Sequence, residues 1–257
     1  MRLLHKFESK NWGDGFSSRM NILISDKYNP EIFFVGTFNP NLDWNHADFY
    51  YGRNGYFWPI LSNLFTHNSS FLKKKRFKSY RQPDIAEILE ICAKAKISFC
   101  DIIHHVKAIN DLNVCHDSKS VTFYKVLKIK SYSDRELENA AKLGLLCSNV
   151  ENIINHIENL KSVKYIVYTF KNNGSWFESE VDRLKKNLPN LQHIHIFTPT
   201  ANGFRENLSP PYDSRLASLC HCWLWNDQEN SVHVSKKGYD SLPKSWLLKH
   251  GVNRLKF

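Results

Sequence analysis

The sequence predicts an α/β layer fold with a largely parallel sheet, and three observations carry that expectation. Four short apolar runs each stop at a polar residue: Phe33-Phe34-Val35 at Gly36-Thr37-Phe38-Asn39-Pro40, Ile97-Ser98-Phe99-Cys100 at Asp101, Tyr165-Ile166-Val167-Tyr168 at Thr169, and His193-Ile194-His195-Ile196-Phe197 at Thr198-Pro199-Thr200-Ala201-Asn202. Segments of helical period lie between them, at 85–95, 150–160 and 176–188. The resulting alternation of strand and helix is the one that links parallel strands through crossover helices. In such sheets ligands bind at the carboxyl ends of the strands, where the four polar stops would gather.

Taken in order, residues 19–24 form an extra strand or a short helix before the core begins at Ile32. At 36–40 an apolar run breaks into glycine, a hydroxyl, an amide and proline, the mark of a buried strand opening into a tight loop. The aromatic stretch 49–58 is a loop because of Gly52 and Gly55, and Pro59 then starts a helix over 60–65. Its rings have two uses. Phe57 and Trp58 pack the loop onto the sheet, whereas Tyr50 or Tyr51 offers a face to a planar ligand such as a nucleobase.

The run Lys73-Lys74-Lys75-Arg76, extended by Lys78 and Arg81, is interleaved with Phe71, Phe77 and Tyr80. That mixture of cation and π-face suits single strands or flipped bases, and a solvated helix face has the same composition. Asp101 also has two readings, as a site carboxylate that orients a base edge or a water, or as a helix cap or lysine partner. Residues 111–147 interrupt the strand and helix rhythm as an insertion with its own basic face at Lys125, Lys128 and Lys130. A helix follows Tyr212 and closes a domain spanning 1–225. The extension 226–257 is polar and aromatic, with Trp246, Leu247 and Leu248 expected to dock it onto the core.

The 257 residues suffice for one domain with a sizeable core, and 42% hydrophobic content with seven Trp excludes a disordered chain. No apolar stretch approaches the ~20 residues that cross a bilayer, and residues 1–6 carry no run suited to a signal peptide, so a soluble, cytoplasmic protein is expected. The six cysteines match no zinc or iron–sulfur spacing and are expected to be reduced structural thiols, with neither metal nor cofactor. Lys and Arg exceed Asp and Glu to give a formal charge of +10, which favours a polyanionic partner, most commonly nucleic acid.

The order Gly36-Thr37-Phe38-Asn39-Pro40, then Phe49-Tyr50-Tyr51-Gly52 leading to Phe57-Trp58-Pro59-Ile60-Leu61, then Cys100-Asp101-Ile102-Ile103, and last Thr198-Pro199-Thr200-Ala201-Asn202, resembles the uracil-DNA glycosylase superfamily. The nearest branches are the mismatch-specific and hypoxanthine-type glycosylases, and the likeness covers roughly residues 32–220 without the insertion and the extension. It implies a three-layer αβα fold around a central, largely parallel four-stranded sheet. It further implies a monofunctional DNA glycosylase, a monomer, that extrudes a damaged, deaminated or modified base from duplex DNA and hydrolyses its N-glycosidic bond, in repair or in defence against phage DNA.

By the same resemblance Asn39 holds the attacking water and Tyr51 stacks on the flipped base. Thr37, Phe38 and Asn54 border the base, the Thr198, Thr200 and Asn202 loop presses on the DNA, and Lys73 to Arg76 contact it. The sequence departs from the family at two places. Phe38 stands where the family's water-holding residue usually lies, one position before Asn39, so either Asn39 serves or another group such as Asp101 does. Gly55 occupies the place of the asparagine before Phe-Trp, with Asn54 one earlier. Two alternatives stay open, a catalytically silent DNA-binding protein of the same fold and an enzyme acting on free nucleosides or nucleotides.

Overall fold

A computed structural model describes residues 2–43, 45–52, 55–66, 82–107, 134–170, 175–199, 215–224 and 239–252. The four apolar runs are strands: β5 (Ile32–Gly36), β6 (Ile97–Asp101), β9 (Tyr165–Tyr168) and β10 (Gln192–His195). They pair in parallel in the order β10-β9-β5-β6, with Gly36 in register with Asp101 and Val35 with Tyr168. Their carboxyl ends therefore lie along one edge.

The expected four-stranded sheet is corrected by what lies beyond β6. Among the described residues the sheet has seven strands and is mixed, because β2 (Asn11–Gly13), β3 (Phe16–Arg19) and β4 (Ile22–Ser25) join it as an antiparallel meander in the order β6-β4-β3-β2. A second sheet of three antiparallel strands stands apart, β1 (Leu3–Leu4), β7 (Ile103–Val106) and β8 (Leu146–Ser148) in the order β1-β7-β8. The meander turns on two tight hairpins. Asp14 and Gly15 take φ of 52° and 76°, and Met20 and Asn21 take 53° and 62°, the left-handed pairs that twist two-residue turns to match their strands. The turn at Met20-Asn21 lies inside the segment that the sequence left open between strand and helix.

Alternate residues of the strands face opposite cores. Ile32, Phe34, Ile97, Phe99 and Val167 join one cluster with α1 (Phe57–Phe65), α2 (Ile85–Ala95), α6 (Arg215–Leu224) and α7 (Lys244–Lys249). Phe33, Val35, Cys100, Ile166 and Tyr168 join the other with α3 (Asp134–Lys142), α4 (Val150–Leu160) and α5 (Ser175–Asn187). Burial on both faces explains why β5 reads as one unbroken apolar run rather than an alternating one.

Local signals set the helix ends. The Asp84 side chain accepts the Glu87 amide hydrogen at 2.9 Å to cap α2, which stops at Lys96 in the left-handed region. α1 begins at Phe57, so Pro59 sits inside the first turn instead of opening the helix, where it displaces no helical hydrogen bond. Of the expected insertion, residues 111–133 lie outside the described residues, while α3 and β8 pack onto the second core through Leu137, Ala140 and Leu146. Trp246 and Leu247 dock α7 on the first core, and the Trp246 indole donates to the Ala95 carbonyl at 2.8 Å. Leu248, expected to dock with them, is 48% exposed. Among the described residues no helix is long and apolar enough to cross a membrane.

Candidate active site

Asp101 closes β6 and is 2% exposed. Its backbone is fixed on both sides. The carbonyl accepts from the Asn149 amide at 3.1 Å, and the next two amides, of Ile102 and Ile103, donate to the carbonyls of Gly36 and Thr37 at 3.0 and 3.1 Å. Asn149, buried just before α4, also donates to the Met20 carbonyl, so the hairpin, β6 and α4 share one side chain.

Two donors meet one oxygen of the carboxylate. Asn39 Nδ2 lies 2.7 Å from Asp101 Oδ2, and His5 Nε2 lies 2.6 Å from the same atom. His5 Nδ1 accepts the backbone hydrogen of Phe7 at 3.0 Å, which places the ring's hydrogen on Nε2, pointing at Asp101. The Asn39 loop and the His5 segment are themselves paired, with Lys6 N donating to the Asn39 carbonyl at 2.8 Å and Asn41 N to the Leu4 carbonyl at 2.9 Å.

The other carboxylate oxygen, Oδ1, lies over Gly36. A Cβ at position 36 would stand 2.2 Å from Oδ1 and 3.4 Å from the Tyr51 hydroxyl. Glycine is required there for close approach. Tyr51 holds φ of 63°, an uncommon conformation for a bulky residue, fixed by two contacts. Its ring stacks on Phe57 at 4.1 Å between centroids and 12° between planes. Its hydroxyl donates to Thr169 Oγ1 at 2.9 Å, since Oγ1 in turn donates to the Val35 carbonyl. Burial, with the Asp101 charge adding to it and the Thr169 bond opposing, raises the Tyr51 pKa well above the ordinary phenol value, so it remains a neutral O–H donor.

Of the residues singled out in the sequence, Asn39 and Asp101 therefore meet directly, and Tyr51 converges on them over Gly36. Thr37 is half-buried and gives its carbonyl to Ile103. Phe38 is 8% exposed and packs edge-on against His5 at 5.6 Å. Thr198 is half-buried, and its neighbours are fastened by Trp223 Nε1 to the Phe197 carbonyl and by Tyr56 N to the Pro199 carbonyl. Asn54, Lys73, Lys74, Lys75, Arg76, Thr200 and Asn202 lie outside the described residues.

His5 and Thr169 are the additions that the structure makes. Thr169 was visible as a strand stop, whereas His5 lies 96 residues from its partner in a segment with no motif. His193 and His195 instead stack on Tyr168, and burial together with Lys185 lowers the His195 pKa to about 4. Among the described residues no three His, Cys, Asp or Glu side chains are grouped to hold a metal ion. Cys92, Cys100, Cys147, Cys220 and Cys222 are free thiols.

No family model and no curated protein matches this chain. A solution structure of a candidate uracil DNA glycosylase from Methanosarcina acetivorans is similar at 13% identity, covering 74% of this chain and 91% of that one, with a TM-score of 0.35. A likeness of that size assigns no family.

Proposed function

We propose that this chain is a DNA glycosylase that hydrolyses the N-glycosidic bond of an extruded damaged or modified base. The observation that carries the reading is the Asp101 carboxylate, buried at the carboxyl end of parallel strands with Oδ2 held by His5 and Asn39 and Oδ1 left over Gly36. Reaction at the sugar requires a positioned water and a negative group near a cation-like carbon. As the bond from C1′ to the base breaks, the electron pair leaves with the base, and Asp101 offsets the positive charge that develops on the sugar. The water oxygen then bonds to C1′ and one of its hydrogens passes to Asp101 Oδ1. The departing base takes up a proton from solvent and Asp101 releases its own to solvent, which leaves free base, an abasic sugar and the carboxylate restored.

Asn39 contributes in two ways. Its amide hydrogen holds Oδ2, and its carbonyl is an acceptor able to orient the water. Tyr51, its hydroxyl hydrogen held by Thr169 and one ring face by Phe57, supplies a fixed aromatic wall to the site. Extrusion accounts for access, because a carboxylate so placed does not reach C1′ within a stacked duplex. The formal charge of +10 supports DNA as the partner.

The test is excision from end-labelled duplexes carrying uracil, hypoxanthine, hydroxymethylcytosine or its glucosylated form, read by alkaline strand cleavage. Cleavage of one of them that falls about 100-fold in Asn39→Ala is expected from loss of the group that holds Asp101 and orients the water. Duplex binding with no cleavage of any of them would favour the catalytically silent DNA-binding alternative.

A further inference from the structure

His5 belongs to no motif and precedes every segment that carries the functional reading, yet its imidazole is fully buried against the carboxylate on which that reading turns. A buried polar ring is costly unless both nitrogens are satisfied, and both are. The ring has little freedom to turn, being flanked by Phe7 and Phe38 at 5.7 and 5.6 Å, with Tyr50 beyond at 6.2 Å. The segment that carries it is tied down on both sides, by β1 pairing with β7 and by the hydrogen bonds to Asn39 and Asn41. A residue serving only to anchor the chain would need none of this aim.

The direction of the two donors is the informative feature. His5 Nε2 and Asn39 Nδ2 both end on Oδ2, and among the described residues no donor meets Oδ1. The carboxylate is thereby turned so that one oxygen is occupied and the other takes no donor from the described residues. We infer that His5 is a positioning residue, whose Nε2–H holds Asp101 so that Oδ1 is the oxygen presented to the water and the sugar. The inference rests on the glycosylase reading. It makes residues 3–7 part of the active site, although they contribute no atom to the reaction itself.

Two variants and one spectroscopic measurement test it. His5→Phe keeps the ring shape and removes both polar contacts, and His5→Gln keeps an N–H donor at the Nε2 position. Under saturating duplex, His5→Phe is expected to lower kcat by about 10- to 100-fold with KM within about twofold, as for a misdirected catalytic group. His5→Gln should recover most of that loss. Two-bond 15N–1H spectra of the wild-type chain, with the His5 signals identified by their absence in His5→Gln, should show hydrogen on Nε2 and not on Nδ1, and Asp101→Ala should shift them.

Wild-type kcat in His5→Phe, no recovery in His5→Gln, or hydrogen on Nδ1 would each overturn the role of His5 while leaving excision by the wild type intact. If Phe at position 5 prevents folding, the Gln variant and the tautomer decide. Absence of excision by the wild type from every duplex is a different failure, which overturns the glycosylase reading and with it any catalytic role for His5, whichever tautomer is found.

Discussion

At the residue scale, the site is built by one side chain that is missing and several that are pinned. Gly36 leaves the space that Asp101 Oδ1 occupies, so Gly36→Ala must displace a carboxylate held by two donors. On the proposed mechanism the expected result is a loss of excision of about 100-fold, because Asp101 Oδ1 moves by about an ångström or more. Stability should fall by about 1–3 kcal/mol, the usual cost of overpacking, as measured by urea unfolding. Retention of full activity in Gly36→Ala would show that the carboxylate has another working position.

Asn39 and Asp101 were legible in the sequence because each ends an apolar run, and strands in register bring such ends together. His5 was not, because a contact across 96 residues leaves no local pattern. The Phe57 face of Tyr51 was hidden for the same kind of reason. A ring expected to stack on a base already stacks on a protein ring, and an aromatic run does not show which neighbour each member will meet.

At the scale of elements, the parallel strands were readable from runs that are apolar at every position. The meander was not, since β3 alternates buried and exposed residues and its strands are short. Asp14-Gly15 was the available signal, as Asp-Gly is a strong mark of a two-residue hairpin. The docking of α7 was anticipated from its apolar residues, but its ionic anchor was not. Glu31, just before β5, is buried and meets Lys249 Nζ at 2.6 Å, His250 Nε2 at 3.4 Å and Lys96 Nζ at 3.5 Å.

Burial pushes the Glu31 carboxyl up, and the hydrogen bonds and charges of Lys249 and His250 outweigh it to hold the pKa below the ordinary range. A carboxyl with a depressed pKa in the folded state stabilises that state fully above the unfolded value. The contribution is lost as pH falls through the folded value. The stability difference between wild type and Glu31→Gln should therefore be steady near neutral pH and shrink as pH drops below about 4.3, the usual value for glutamate. Thermal melts across pH 3 to 7 check this. A difference that grows on acidification would contradict the pairing.

At the scale of the whole molecule, two cores on opposite faces of one mixed sheet hold the carboxyl ends of four parallel strands along one edge. The formal charge of +10 favours a polyanionic partner, which on the proposed reading is DNA. Duplex affinity should fall steeply with added salt, with a slope of log K against log salt of about −0.9 for each phosphate neutralised. Titrations between 50 and 200 mM salt check it, and salt-independent binding would remove DNA as the partner. The basic run that suggested DNA in the sequence lies outside the described residues, so charge was legible there only as composition. The shared edge of the parallel strands was legible from the order of the apolar runs.

The most direct measurement is single-turnover release of free base by wild type and by Asp101→Asn from the same duplex, with duplex affinity measured alongside. The expected result is release of free base and an abasic strand by the wild type, a rate at least about 100-fold lower in Asp101→Asn, and affinities within a few-fold of each other. Equal rates in the two proteins would contradict the assignment of Asp101, and no base released by the wild type from any duplex would contradict the glycosylase itself.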